Sequence, residues 1–451
     1  MEENNNFLEN TSLSIIDEKP ELTTLVAATE MQNNSQSFLS NKILSKLSRG
    51  YTLCTVLKVV SYSLNETSFI LPYCLRKLGV IPFIGFLIIL SLSSLYIFYL
   101  LIDLLIKFNL FNDCHPKIQE KTNKVFNIIY YIINIIYHIL VLIFQNYFYL
   151  SLFLRILSFF EIKMDNEFHE KIIILSLSLI ILEFPLSFIK YFQRPDLLYI
   201  IFTSLIIVLN IIALVFVISI KSFKEVELIK VNLFESLSNN YFTCFSIIMT
   251  VIGWQNQISK KLEDFKIKTT KRFYKVIYLF FIIQICLILF ICFVSTPLIS
   301  DSTDVIIFLL DYKNLNIGHI LIIQIMSIII GLLIHIIISH HMQLIQENML
   351  LILGLTIYKN LSNDFKINKY FLISFNLIIL LISNIISLLI NDISLIIILY
   401  GGIFSTIINY LFPTILYYLL VSKNSIISLM GWVISLAIIL LGVISFISKF
   451  F

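Results

Sequence analysis

Long apolar runs recur from about residue 51 to the end of this chain, and many exceed the roughly 20 residues a helix needs to cross about 30 Å of hydrocarbon. One soluble core could not absorb them. The composition agrees: 58% of the residues are hydrophobic and 13% charged, where soluble domains carry about 25% charged residues. Inside hydrocarbon every backbone amide and carbonyl has to be bonded within the protein, so runs of this length are helices. The chain therefore reads as an all-α polytopic membrane protein.

The hydropathy pattern gives eleven transmembrane helices, at about 51–74, 80–106, 125–154, 171–192, 197–220, 240–258, 274–297, 318–340, 369–390, 393–420 and 425–448. The ten-residue apolar run Met349–Tyr358 is too short to span and reads as interfacial. Spans 9 and 10 are divided by little more than Asn391–Asp392, which suits a tight hairpin. Residues 1–47 are polar, lack the basic-then-apolar start of a signal peptide, and read as a disordered tail, with 48–451 as the transmembrane domain. The six cysteines show no paired spacing and read as small packing residues, with a Cys74–Cys244 bridge as the minority alternative.

Orientation follows from Lys and Arg in the flanks. The segment Lys260–Lys275 carries Lys260, Lys261, Lys266, Lys268, Lys271, Arg272 and Lys275 and sits on the same side as the N-terminal tail. Loops on the other side are acidic, with Glu161, Asp165, Glu167 and Glu170 in one and Asp301, Asp304 and Asp311 in another. The N-terminus is expected to be cytoplasmic.

Two polar clusters break the apolar pattern, and such clusters within spans mark functional sites. The first is Ser61–Tyr62–Ser63–Leu64–Asn65–Glu66–Thr67–Ser68 in span 1, followed by Pro72. Ser, Thr and Asn compete with the helix for backbone hydrogen bonds, and Pro removes a donor. A broken helix is expected there, with freed amides suited to an anionic group. The second is Thr250, Gly253, Trp254, Gln255, Asn256, Gln257 and Ser259 in span 6; its alternative reading is the wet end of that span. The clusters lie five spans apart. An odd shift inverts a repeat across the bilayer, the pattern of inverted repeats with a broken helix in each half and the site between them.

Other polar residues in the spans carry less. Glu66 can exchange protons from a low-dielectric site, or be a structural carboxyl bonded to freed amides. Glu183, just before Pro185, reads as satisfying groups freed by a kink. His138 and His335 read as packing residues, His340 and His341 lack metal-ligand company, and Asp103 pairs with Lys107 at i+4. No P-loop, HExxH, GxSxG or CxxC occurs, and no convergent His/Asp/Ser set. The chain is not expected to be an enzyme, to need a cofactor, to hold a metal or to bind nucleic acid.

Four stretches resemble the amino acid/auxin permease (AAAP) family of amino acid transporters. Thr67–Gly79 (TSFILPYCLRKLG) is similar to the family's "GiLaLPYAfkkaG", and Glu183–Lys190 (EFPLSFIK) to its "fPLSflk". Gly253–Asn256 (GWQN) with Glu263 resembles "cHQN…E", and Gly401–Pro413 (GGIFSTIINYLFP) with Leu416 and Tyr417 resembles the span 10 pattern "Ga…s…fllP.llyl". The sequence departs where the family has Gly-x-Gly, here Asn65-Glu66-Thr67, and where it has His, here Trp254. The Pro and Arg usual at the end of span 8 are replaced around His340, His341 and Gln343. The scarcity of Ala beside abundant Ile, Leu, Phe, Asn and Lys matches a member from an AT-rich eukaryotic genome.

The resemblance implies a LeuT-type 5+5 inverted repeat with discontinuous helices 1 and 6, and transport of amino acids by alternating access. The expected substrate-binding residues are Ser61, Ser63, Asn65, Glu66, Thr67, Ser68, Thr250 and Gly253. Coupling to H+ is preferred through Glu66; if the ion is Na+, Ser327 on span 8 is the candidate ligand. The partners implied are an amino acid substrate and the bilayer of a plasma membrane or a vacuolar or endolysosomal membrane. The alternatives are a same-fold transporter of another small solute, such as a polyamine, and a non-transporting nutrient sensor with Glu2–Ser45 as its signalling arm. Replacement Glu66→Gln is expected to abolish the pH dependence of uptake; unchanged kinetics would remove that carboxyl from the coupling step.

Overall fold

The structure is a computed structural model that describes residues 52–64, 68, 70–108, 122–160, 167–187, most of 199–215, 232–235, 240–253, 270–296, 317–357, 369–390, 392–421 and 425–449. The N-terminal tail, Asn65, Glu66, Thr67, Trp254–Ser259, most of the basic Lys260–Lys275 segment and the acidic Asp301–Asp311 stretch lie outside the described residues.

The described chain is all helical. We label α1 Thr52–Ser63, α2 Leu71–Leu78, α3 Val80–Lys107, α4 Lys124–Phe159 and α5, which starts at Glu167–Ser178 and runs through a π turn, Leu179–Glu183, into Phe184–Leu186. There follow α6 Tyr199–Ile212, α7 Asn240–Ile252, α8 Thr270–Ser295, α9 Ile317–Ile357 and α10 Lys369–Leu389. The last two are α11 Ile393–Leu420 and α12 Ile426–Ile447. Among the described residues, 7 helices are long and apolar enough to cross a membrane: α3, α4, α8, α9, α10, α11 and α12, each in whole or in large part. The protein is thus a multi-pass membrane protein. Helices α6 and α7 are apolar but shorter, and span 1 is divided between α1 and α2.

One boundary differs from the sequence reading. Met349–Tyr358 does not form a separate interfacial segment, because α9 continues unbroken for 41 residues to Ile357. Neither Gly nor Pro stands between His341 and Leu353, so nothing there ends the helix.

Helix ends are closed locally, as the loss of four intrahelical partners at each end requires. Asn123 and Ser425 accept from the amides of Val125 and Ser428, both at 3.1 Å. In the tight hairpin between α10 and α11, Asp392 accepts from Ser394 N at 2.9 Å and also pairs with Lys449 beyond α12. Partial burial pushes the Asp392 carboxyl up, but the bonds from Lys449 and Ser394 outweigh it and hold the group below the usual carboxylate range. The start of α3 is closed differently. Val80 N and Ile81 N donate to the carbonyls of Asn232 and Leu233 at 3.0 and 3.1 Å, and Glu235 N donates back to Leu78 O. Gly79 at the α2–α3 junction has φ +81°, with Leu233 O 2.9 Å from where a Cβ would stand, so both conformation and space demand glycine.

The helices sort into two packed groups. Helices α4, α5, α9 and α10 pack on one another, with α4 against α9 the most extensive pairing. Helices α1, α2, α3, α7 and α8 form the second group, and α11 lies between the two, touching α4 on one side and α7 on the other. Ile88, Ile89 and Leu92 on α3, Ile378 and Ile385 on α10 and Leu429, Val433 and Leu440 on α12 are exposed. In a membrane these faces meet lipid.

Lipid is as apolar as leucine, so helices here associate by close packing of small residues rather than by hydrophobic burial. The α7–α11–α12 contact shows this. A Cβ on Gly401 would lie 2.3 Å from the Thr250 methyl, one on Gly402 2.5 Å from Ser246 Oγ, and one on Gly442 1.8 Å from Gly402 O. The Gly442 neighbour is backbone and cannot yield cheaply. Replacement Gly442→Ala is expected to cost about 3 kcal/mol or more, at or beyond the usual range for overpacking. Gly85, which has nothing within 4 Å, is the control: Gly85→Ala should melt with the wild type in detergent.

Candidate functional site

The first polar cluster coincides with an interruption of the helix. α1 ends at Ser63 and α2 begins at Leu71, and the intervening described residues Leu64, Ser68 and Ile70 are not α-helical. Ser61 Oγ donates to Lys58 O at 2.7 Å and Ser63 Oγ to Val60 O at 2.8 Å, the back-bonding that competes with and bends a helix. Thr203 Oγ1 on α6 donates to Ser61 O at 3.3 Å, so the loosened end of α1 is tied to span 5. Ser68 is fully buried, and its hydroxyl has no hydrogen-bond partner among the described residues. At the start of α2 no side chain caps the helix, and Pro72 occupies its first turn.

The second cluster is described only up to Gly253, where α7 ends. Thr250 Oγ1 donates to Ile247 O at 2.7 Å, and Gly253 N donates to Met249 O at 2.9 Å. Gln284 of α8 donates to Val251 O at 2.7 Å, so a neighbouring helix takes up one of the last carbonyls of α7. A Cβ on Gly253 would meet Ser405 Oγ at 2.8 Å and Asn409 Nδ2 at 3.3 Å, and those two are bonded to each other at 3.1 Å.

The candidate residues therefore divide by neighbour. Ser61 faces α6, whereas Thr250 and Gly253 face α11. What joins spans 1 and 6 directly lies further along, where the Cys74 thiol stands 3.9 Å from the Cys244 carbonyl, both cysteines free. Thr296, just past α8, donates to Pro72 O at 3.3 Å. Ser327 is buried on α9, whose most extensive packing is on α4. Asn65, Glu66 and Thr67 lie outside the described residues.

The structure also assembles a polar node that the sequence reading missed. Glu183, fully buried at the end of the π turn in α5, accepts from Ser178 Oγ at 3.0 Å and from Asn384 Nδ2 of α10 at 2.8 Å. It does not serve freed backbone groups around Pro185. From α9, His335 Nδ1 lies 3.8 Å from Glu183 Oε1, with neither side chain exposed. The Tyr149 ring of α4 sits 4.1 Å from the imidazole, centroid to centroid. Among the described residues, both ring nitrogens of His335 and Asn384 Oδ1 lack hydrogen-bond partners. On the same helix pair His138 Nδ1 and His341 Nδ1 are 3.0 Å apart, so one imidazole donates to the other. One signal was present: Asn376, Ser383, Asn384 and Ser387 recur at i, i+7, i+8 and i+11, which is one helix face.

Comparison with solved structures finds this architecture in a transporter. The chain is similar to the manganese transporter of Eremococcus coleocola, solved with an aromatic bis-isothiourea substituted compound. The TM-score is 0.51 over 88% of this chain and 86% of that one, at 14% sequence identity. That likeness is one of fold. No family model and no curated protein matches the sequence.

The hydrogen bond from Asn384 to a buried carboxylate should be among the stronger ones in the fold, since a bond to a charged group is worth about 1.5–3 kcal/mol. A double-mutant cycle over Glu183→Gln and Asn384→Leu, read by thermal unfolding in detergent, is expected to give a coupling energy of that order. Additive effects would mean the bond is absent in solution.

Proposed function

We propose that the chain is a secondary active transporter that moves amino acids across a membrane by alternating access, coupled to protons. The observation that carries this is the interrupted span 1. A helix stops at Ser63 and restarts at Leu71, and between them the fully buried Ser68 hydroxyl has no partner among the described residues. Broken spans whose freed amides and hydroxyls face a cavity are the way membrane transporters hold small polar solutes. The start of α2 carries no side-chain cap, and the positive end of a helix favours a carboxylate.

The transporter fold of the solved neighbour supports the general reading, and the four stretches that resemble amino acid permeases support the substrate class. On this reading Ser61, Ser63, Asn65, Glu66, Thr67 and Ser68 line the substrate from span 1, and Thr250 and Gly253 line the facing half. Glu66 is the proposed proton carrier, and Ser327 would serve a sodium-coupled cycle.

Purified protein in vesicles should accumulate labelled glutamine or arginine under an imposed pH gradient and lose that accumulation when the gradient is collapsed. Accumulation of putrescine alone would make it a polyamine carrier with a carboxylate counter-charge. Deletion of residues 2–45 should leave uptake intact. A sensor would show no uptake in either form.

A further inference from the structure

We propose that the Glu183–His335 node is a proton-binding site of the transport cycle, additional to the one proposed in the span 1 break. The inference rests on the transport reading, but its chemistry stands on geometry alone. Glu183 and His335 come from α5 and α9 and meet at 3.8 Å with no exposed surface. Of the described residues, Ser178 and Asn384, both neutral, donate hydrogen bonds to the carboxylate. Among the described residues the titratable groups facing it are His335 from α9 and, beyond that ring, Tyr149 from α4; α10 contributes Asn384. No fixed cation among the described residues stands beside the carboxylate, and an unneutralised charge at such depth is costly.

A proton is what this node can take up. With Glu183 ionised and His335 neutral it carries one negative charge. Adding one proton to a carboxylate oxygen makes it neutral overall. The bond formed is one O–H, the bond broken is one O–H of a hydronium ion, and the reverse step returns the proton to water. The unbonded polar atoms mark where the relay runs. Both His335 nitrogens and Asn384 Oδ1 are buried without partners among the described residues, and groups of that kind are ordinarily satisfied by water. Five and six residues further along α9 stand His340 and His341, about 7.5–9 Å on at 1.5 Å per residue. His341 is bonded to His138 of α4. Titratable rings thus continue from the node along the α4–α9 seam.

The position also gives the proton something to act on. Glu183 ends a π turn, a feature that concentrates at functional sites; its Oε2 ties α5 to α10 through Asn384, and its Oε1 faces His335 of α9. Protonation weakens the carboxylate's hold on Asn384, the hydrogen bond that joins α5 to α10 within one packed group. In a cycle, loading and unloading would alternate that group between a tighter and a looser form.

The test uses the full chain. Infrared difference spectra of detergent-purified protein across a pH titration should contain a protonated-carboxyl band that is absent from Glu183→Gln and shifted in pH midpoint by His335→Gln. In vesicles with labelled glutamine or arginine, Glu183→Gln should lose pH-gradient-driven accumulation while keeping exchange of internal for external substrate. His335→Gln should move the pH midpoint of accumulation; it fills the same space with a neutral donor and carries the test if Glu183→Gln does not fold. The same titrating band in wild type and Glu183→Gln would overturn the proposal. So would undiminished pH-driven accumulation by Glu183→Gln, or accumulation driven by sodium and lost in that variant. If the wild type moves neither amino acid, the transport reading fails, and the infrared band still decides the proton site.

Discussion

Hydrogen bonding of the backbone in a medium without water governs this fold more than any other interaction. In hydrocarbon an unbonded amide or carbonyl costs several kcal/mol, so every departure from regular helix has to be answered by a specific partner. The departures seen here are answered that way. The free amides of α3 are met by the carbonyls of residues 232 and 233. The loosened end of α1 is met by Thr203, and a late carbonyl of α7 by Gln284. Each such partner ties two separate segments of the chain, so the irregular points double as joints between elements.

The same constraint sorts the polar side chains into two kinds. Serines and threonines in the spans mostly return to their own helix, three or four residues back, as Ser61, Ser63 and Thr250 do. They cost little, because the bond stays within one helix. The amides do both: Asn134 and Asn210 return to carbonyls four residues back, while Asn384 bonds Leu380 O and also reaches Glu183 of α5. The imidazoles and the carboxylate meet partners across helices. Glu183 with Asn384 and His138 with His341 are the clearest cases. Between the packed groups runs α11, whose glycines let α7 and α12 approach until backbone nearly meets backbone.

What the sequence disclosed follows from the range of the forces involved. Apolar length is a local property, and it placed α3, α4, α8 and α10 to α12 within a few residues. The interruption of span 1 was also local, because Ser61–Ser68 and Pro72 are contiguous, and the helix stops and restarts within that stretch. The tight turn at Asp392 was legible for the same reason. The Glu183 node was not, because its members lie up to 201 positions apart. Beside Pro185 the carboxyl read as a kink-filling group, and His335 as packing. Helix periodicity on α10 showed a polar face, but nothing in the sequence says which neighbour that face meets. The π turns in α5 and α11 were equally hidden, since no residue type marks a single widened turn.

Those π turns have a consequence for chain length. In α11 two of them occur in succession, Ile398–Phe404 and Ile407–Leu411. A π turn closes its bond one residue later than an α turn, so each stretch holds one residue more than a regular helix of the same rise. The rotational phase of Pro413, Thr414 and Tyr417 relative to Gly401 and Gly402 is therefore set by residue count and not by the contacts of any one side chain. A single-residue deletion within either stretch would return it to plain α geometry and keep the second half of the helix facing its present neighbours. The same deletion in the regular turns of α8 would rotate everything after it by about 100°. Within α11, tolerance to a lost residue is thus concentrated in two windows, which gives this helix a length polymorphism that a regular helix could not absorb.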